Sequence, residues 1–167
     1  LEIDGKGGAA FENTILEKVE RIKGVEAVAP VINRPSRLTI GEDRALRIQL
    51  LGIDPERDPK GRDYSIVEGR QVEKGEELVF DKAFAEFLGL RVGDTAKVNA
   101  KKTFTVVGLF QKNAGMDLGL ASMAFMPLET AQTTLMGRST VVSRNAIDMI
   151  QVVTAKNVDP EKIRPAI

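Results

Sequence analysis

Residues 76–94 read EELVFDKAFAEFLGLRVGD and carry, in order, the signals for a strand, a capped helix and a tight turn. The apolar run that ends at Phe80 predicts a short strand. Asp81 predicts the N-terminal cap of a helix of about eight residues. Gly89 predicts the left-handed end of that helix, with Leu90 folding back on it. The stretch therefore predicts a domain of mixed helix and strand.

Upstream of it, one helix and several β-rich runs are predicted. Apolar residues recur at helical spacing from Phe11 to Ile22, and Gly24 is placed to end that helix. The last β-rich run alternates apolar and charged residues, as a half-buried strand does. The predicted strands cover residues 25–32, 36–40 and 45–53.

Downstream, a Lys-rich hairpin, two further strands and a helix are predicted. The hairpin places Ala96 and Val98 in one strand and residues 104–107 in the other. Pro127 is placed to open a helix that Gly137 closes. Strands are predicted at 123–126 and 147–154, and Asp159-Pro160 predicts a further helix, interrupted at Ile167.

Composition restricts the function. The 167 residues suffice for one domain or two small lobes, and 43% hydrophobic with 29% charged residues is typical of a folded globular protein. Lys plus Arg and Asp plus Glu each total 24. That zero net charge argues against sequence-independent nucleic-acid binding, which requires a basic excess. No apolar run approaches the roughly 20 residues of a membrane helix. Because the chain opens at Leu1, we expect it to be an excised domain whose membrane attachment lies elsewhere.

The chain contains neither His nor Cys. Without His, the commonest general acid–base residue and metal ligand is missing. Without Cys, thiolate catalysis, zinc–thiolate sites and disulfides are excluded. We expect no catalytic residue, no metal ligand and no cofactor, and hence a domain that is not an enzyme.

Two loops resemble ligand sites only weakly. Gly5–Gly8 lacks the preceding strand, the spacing and the hydroxyl residue of a phosphate-binding loop, which favours a flexible lead-in. Asp54, Glu56, Asp58 and Asp63 resemble the start of a calcium loop, but Pro59 and Ser65 stand where Gly and a bidentate carboxylate are required. A solvated loop is favoured there over a calcium site.

Three other groups of residues are candidate sites. Glu76 and Glu77 are adjacent on a strand and are predicted to point to opposite faces, so they would not converge on one substrate. The hydroxyl residues near Arg144 lack an activating Lys or carboxylate, which favours a polar loop. The apolar residues of the Gly-containing connection favour core packing, with an exposed partner-binding patch as the alternative. The hydroxyl residues are Ser139, Thr140 and Ser143, and the apolar residues of the connection are Met116, Leu118 and Leu120.

The order of short motifs resembles the extracytoplasmic core domain of the MacB/FtsX/LolC-type ABC transporter permeases. The resemblance spans about residues 11–155, and its specificity comes from the order and spacing of motifs that are individually weak. The motifs are GVEAVAP at 24–30, LGIDP at 51–55, EGR at 68–70, the strand–helix step at 78–85, LGLRVGD at 88–94, FTVVG at 104–108 and FMPL at 125–128 with Ala131-Gln132.

The resemblance implies an α+β fold of two lobes. A membrane-proximal mixed α/β lobe is expected from residues 1–55 plus 146–167, and a smaller β-rich lobe from residues 56–145. The hinges are expected at residues 54–62 and 139–145. Both chain ends are then expected to lie close together, toward the membrane.

The resemblance also implies a mechanical function outside the cell membrane. The partners expected are a cytoplasmic ATPase acting through the rest of the permease, a second permease copy, and an extracytoplasmic protein or substrate; no nucleic acid is expected. The alternative is a free-standing ligand- or protein-binding module, which predicts a deep pocket lined by convergent polar residues.

Overall fold

The computed structural model describes residues 1–5, 8–58, 64–112, 122–136, 145–159 and 163, and only the backbone of Asn13. Strands β1 to β4 span Glu2–Asp4, Phe11–Glu12, Val25–Ile40 and Arg44–Ile53. Strands β5 to β8 span Tyr64–Gly69, Glu77–Asp81, Thr95–Val98 and Lys102–Lys112. Strands β9 to β11 span Met123–Pro127, Ala146–Ile147 and Met149–Thr154. Helices α1, α2 and α3 span Leu16–Glu20, Lys82–Leu88 and Leu128–Thr134.

Nine strands form one mixed sheet in the order β1-β11-β3-β4-β9-β6-β8-β5, and β7 pairs with both β3 and β8. The β4–β9 and β6–β8 pairs are parallel, and the other pairs are antiparallel. The two short strands β2 and β10 pair separately. With mostly strands and few helices, the fold is consistent with the predicted α+β class.

Alternate residues of β3 and β4 face two different cores, because strand side chains have a period of two. Ile32 and Leu50 belong to the core that also contains residues of α2 and α3. Val31 and Leu51 belong to a second core, in which the rings of Phe110 and Phe125 stack with centroids 4.4 Å apart. A third cluster packs α1 against β3, β10 and β11.

The central prediction from residues 76–94 is confirmed. The side chain of Asp81 accepts a hydrogen bond from the backbone N–H of Phe84 at 3.1 Å. Gly89 has φ +72°, and the N–H of Leu90 donates to the carbonyl of Ala85 at 2.9 Å. Within α2, Phe84 is buried, whereas Phe87 is 76% exposed.

The predicted helix from Phe11 to Ile22 is wrong in its first turn. Phe11 and Glu12 instead form β2, a 3₁₀ turn follows, and the helix runs only over Leu16–Glu20. The reason is tertiary: Phe11 pairs with Ile147. A strand partner far along the chain overrides the local helical period.

The predicted break between strands at residues 25–32 and 36–40 is also wrong, because β3 continues through Pro35. Pro35 lies opposite Gln49 of β4, and Gln49 donates its backbone N–H to Ser122 on its other side at 2.9 Å. The Pro35–Gln49 pair is therefore one without ladder hydrogen bonds, so the missing N–H of Pro35 costs β3 nothing.

The two-lobed description is not confirmed. The parallel pairing of β4 with β9 joins residues assigned to different lobes within one sheet. The division into residues 1–55 plus 146–167 and 56–145 stays a prediction. Several predicted features lie outside the described residues: the helix end at Gly137, the start at Pro160 of the last helix, residues 59–62 of the first hinge and residues 139–144 of the second. Among the described helices, none is long and apolar enough to cross a membrane.

Candidate functional site

The first strand, β1, and the last described strand, β11, lie side by side at one edge of the sheet. β1 runs antiparallel to β11, and the Leu1 amine donates to the carbonyl of Val152 at 3.0 Å. In return, the N–H of Val152 donates to the carbonyl of Leu1 at 2.8 Å. After β11, Ala155 donates its N–H to the carbonyl of Gly24 at 3.0 Å, just before β3 begins. Leu1 and the residues that follow β11 thus lie near the start of β3; because residues 164–167 are outside the described part of the chain, the expected closeness of both chain ends stays a prediction.

Strand β3 connects this end to the opposite end of the sheet. Its first half pairs with β11, from Val25 to Val31. Its second half pairs with β4, from Val31 to Ile40, and near its end Leu38 and Thr39 also pair with β7. One uninterrupted strand thus pairs with β11 in its first half and with β4 in its second half, as far as the β3–β4 turn.

Asp148 fastens the segment between β10 and β11 to the middle of β3. One carboxylate oxygen lies 2.5 Å from Nη2 of Arg34, and the other accepts the backbone N–H of Asn33 at 2.9 Å. The backbone N–H of Asp148 donates to the carbonyl of Val31 at 2.9 Å. Gln49 of β4 donates its side-chain amide to Asn33. This polar cluster therefore ties three strands together where β3 changes partners.

Near the turn of the β3–β4 hairpin, far from the start of β3 at Val25, two arginines lie side by side. Arg37 and Arg47 are direct cross-strand partners, and both are exposed. Arg37 donates its backbone N–H to Oδ1 of Asn99 at 2.9 Å and accepts the N–H of Asn99 at 2.8 Å. These residues line an open cleft of about 530 Å³ together with Pro35, Ser36, Ala45 and Leu46.

A second open cleft, of about 440 Å³, lies between α3, the turn after β4 and the turn before β6. Two of its four carboxylates are in ion pairs: Asp54 lies 3.6 Å from Arg57, and Glu73 lies 3.8 Å from Arg70. Thr130 donates its hydroxyl to the carbonyl of Gly75 at 2.8 Å, which ties α3 to the neighbouring turn. The cleft is therefore a partly ion-paired surface depression.

Among the described residues of the candidate calcium loop, Asp54 and Asp58 have different hydrogen-bond partners. Asp54 accepts the backbone N–H of Glu56 at 3.0 Å, as an Asx turn does. Asp58 is fully buried and accepts the hydroxyl of Tyr64 at 3.0 Å. Asp63 lies outside the described residues. In the part of the chain that the structure describes, no three potential ligands of the His, Cys, Asp and Glu types come together.

Glu76 and Glu77 have separate partners, but only Glu77 lies in β6, so the prediction that both are strand residues is wrong for Glu76. Glu76 lies 3.0 Å from Nζ of Lys102. Glu77 accepts two hydrogen bonds from Arg70, at 2.5 and 3.0 Å, and the backbone N–H of Glu73 at 2.7 Å. The hydrogen bonds from Arg70 lower the pKa of Glu77 below its ordinary value of 4.5 against the opposing effect of burial. Glu77 therefore organises the turn before β6.

The remaining predicted sites are only partly described. At the Gly5–Gly8 segment, Gly8 donates its N–H to the carbonyl of Gly5 at 2.8 Å, and β1 ends directly before Gly5, so the expectation that no strand precedes the segment is wrong. The other candidates lie outside the described residues. They are Lys6 and Gly7, the hydroxyl-bearing residues Ser139, Thr140 and Ser143, and the apolar residues Met116, Leu118 and Leu120 of the connection.

Sequence reasoning missed Asp148 and the Arg37–Arg47 pair. The pair could have been found from the turn at residues 41–43, since a hairpin centred there places residues 37 and 47 opposite each other. Asp148 gives no such signal, because its partners Asn33 and Arg34 are distant in sequence and only the fold brings them together.

Solved structures share this fold at low sequence identity. The extracellular domain of the noncanonic ABC-type transporter YknZ from Gram-positive bacteria has a TM-score of 0.70 and 16% identity, over 94% of this chain and 78% of that one. The periplasmic region of MacB from Actinobacillus actinomycetemcomitans has a TM-score of 0.68 and 17% identity, over 98% and 72%. A domain of a putative permease protein from Porphyromonas gingivalis has a TM-score of 0.63 and 15% identity, over 99% and 74%.

No curated protein sequence matches the chain significantly. The family model of the MacB-like periplasmic core domain, however, matches residues 4–167, which is almost the entire chain. The predicted resemblance is thereby confirmed, and domains of this description lie outside the cytoplasmic membrane. The chain belongs to the family of MacB-like periplasmic core domains, which are parts of ABC transporter permeases.

Proposed function

We propose that this domain transmits ATP-driven movement from the rest of a permease to substrates or partner proteins outside the membrane. The observation that carries the proposal is the hydrogen-bonded pairing of β1 with β11, the last described strand, at one edge of the sheet. Movement that enters through the two ends reaches β3 through the β11 ladder and the Asp148 cluster.

The partners follow from this function. The energy comes from a cytoplasmic ATPase acting through the remainder of the permease, and a second permease copy supplies the surface against which the domain moves. The domain itself performs no catalysis and holds no cofactor. The absence of His and Cys from the sequence supports this part of the proposal. The two-lobe division, with hinges at residues 54–62 and 139–145, belongs to the same proposal.

Spin labelling in the intact permease tests the transmission. Because the chain contains no Cys, Glu42→Cys places a unique label within it, at the exposed turn farthest from the chain ends along β3. We expect the distance between the two Glu42→Cys labels of a permease dimer to differ between the nucleotide-free and ATP-bound states.

A second labelled pair is the matched control. Lys23→Cys near the chain ends and Glu42→Cys at the turn lie in one domain, so their distance reports whether the domain itself deforms. Transmission predicts that the distance between domains changes more than the distance within one. An unchanged distribution between domains in both nucleotide states would contradict the proposal.

A further inference from the structure

The Arg37–Arg47 pair brings two like charges as close as a sheet allows. Arg37 directs its backbone N–H and carbonyl toward Asn99 and thus away from β4. Its pairing with Arg47 is therefore of the type without ladder hydrogen bonds, in which opposite side chains approach most closely. Like charges placed directly opposite each other destabilise a sheet.

No acidic side chain offsets this repulsion. In the described part of the chain, the guanidinium groups of Arg37 and Arg47 make no ion pair, whereas Arg21, Arg34, Arg57 and Arg70 all do. The sequence has as many acidic as basic residues, 24 of each, so a shortage of carboxylates is not the cause. Lys97 adds a further cation beside Thr39, on the neighbouring strand β7.

The backbone beneath the pair is held from both sides. Asn99 hydrogen-bonds Arg37 as a strand partner would, although it belongs to the turn between β7 and β8. Asn99 and Ala100 adopt left-handed φ values of +50° and +55°, and Lys101 closes the turn on Val98 at 3.0 Å. A rigid base lowers the entropy lost when a ligand binds the side chains above it.

We propose that Arg37 and Arg47 form a docking site for the carboxylate side chains of an acidic partner protein. A guanidinium group forms paired hydrogen bonds with a carboxylate, and two adjacent groups accommodate successive acidic side chains. The cleft of about 530 Å³ between the pair and Asn99 has room for them. Binding would remove the like-charge repulsion that the free domain retains.

The choice of a protein over a lipid headgroup rests on the proposed function. If the chain ends lead to the membrane, Val28 marks the membrane side, because it pairs with Val152, the partner of Leu1. Arg37 lies nine residues further along β3, a distance of about 30 Å in a strand. The arginine pair is thus directed toward an extracytoplasmic protein.

Titration of the purified 167-residue chain with hexaglutamate tests the site. We expect amide NMR shifts concentrated at Arg37, Arg47 and Asn99. The Arg37→Gln/Arg47→Gln variant should bind roughly tenfold more weakly or worse, because two charge-assisted contacts are lost. The control variant Lys18→Gln/Lys23→Gln makes the same change in charge at the other end of β3 and should bind like the wild type.

Equal weakening in both variants would show general charge attraction and overturn the proposal, as would a lack of saturable binding. Inorganic phosphate and phosphatidylglycerol vesicles separate the ligand sources. Arginine-dependent binding of either one without binding of hexaglutamate would also overturn it. Thermal unfolding of both variants verifies that they fold. The titration requires neither membrane nor ATPase, so its failure leaves the proposed transmission of movement standing.

Discussion

Asp148 holds Arg34 by an ion pair whose Nη2–Oδ1 distance is 2.5 Å, and it simultaneously accepts the backbone N–H of Asn33. The Asp148 side chain is only 12% exposed, so removing it leaves both donors short of an acceptor. We expect Asp148→Ala to lower the free energy of unfolding by about 1–3 kcal/mol, measured by urea denaturation.

Two further variants isolate the cause. Asp148→Asn keeps an acceptor for Asn33 and should lose less stability than Asp148→Ala. Glu17 and Arg21 form an ion pair at 3.5 Å in which both side chains are more than three-quarters exposed, so Glu17→Ala should change stability by less than about 0.5 kcal/mol. If Glu17→Ala and Asp148→Ala lower the free energy of unfolding equally, the Asp148 cluster does not hold the strands together.

The Arg70–Glu77 pair predicts a pH dependence of stability. The pKa of Glu77 is lowered in the folded state, so its contribution is present above its unfolded pKa and is lost as the pH falls through the lower folded value. We expect Glu77→Gln to destabilise the domain at neutral pH and the difference from wild type to shrink in acid. Urea denaturation at several pH values measures this, and a difference that persists undiminished in acid would refute it.

Arg37→Glu should stabilise the β3–β4 hairpin. The substitution replaces a like-charge pair with an opposite-charge pair at directly facing positions, and cross-strand pairs of this kind contribute about 0.2–1 kcal/mol. We expect a higher melting temperature for Arg37→Glu and no such gain for Arg37→Glu/Arg47→Glu, in which two like charges again face each other. A gain that persists in the double variant would point to another cause.

Gly52 lets α3 lie directly on β4. A Cβ atom at this position would stand 2.2 Å from Cβ of Ala131, and Ala131 is fully buried. We expect Gly52→Ala to cost about 1–3 kcal/mol through overpacking. Adding Ala131→Gly removes the opposing methyl group, so the double variant should lose less stability than the sum of the two single variants. Additive losses would show that the clash is relieved elsewhere.

Local signals predicted the parts of the fold whose stability is local. Asp81 and Gly89 fix the ends of α2 by contacts within the same short stretch, so sequence alone places them. Phe11 and Pro35 were assigned incorrectly because their partners are remote: Phe11 is drawn into a strand by Ile147, and Pro35 is tolerated because of the register with Gln49. β1 and β5, which are edge strands, were not predicted at all.

The candidate site likewise has features that were predictable from the local sequence and features that depend on remote contacts. That Glu76 and Glu77 do not share a partner was predicted, although the strand geometry behind that prediction does not apply to Glu76, which lies just before β6. The role of Asn99 was not, since the fold alone brings a turn residue of the β7–β8 hairpin beside Arg37. Family motifs supplied the function, because no catalytic or metal-binding pattern in the sequence did.

The pairing of β1 with β11 has a consequence for biosynthesis. Residues 2–4 and their partners at 149–151 lie far apart in the sequence, so the second strand of the pair is made much later than the first, and contacts so distant in sequence form slowly. Until β11 emerges, one edge of β3 from Val25 to Val31 has no strand beside it. Such an apolar open edge invites aggregation, so we expect the nascent domain to need protection there until β11 has been made.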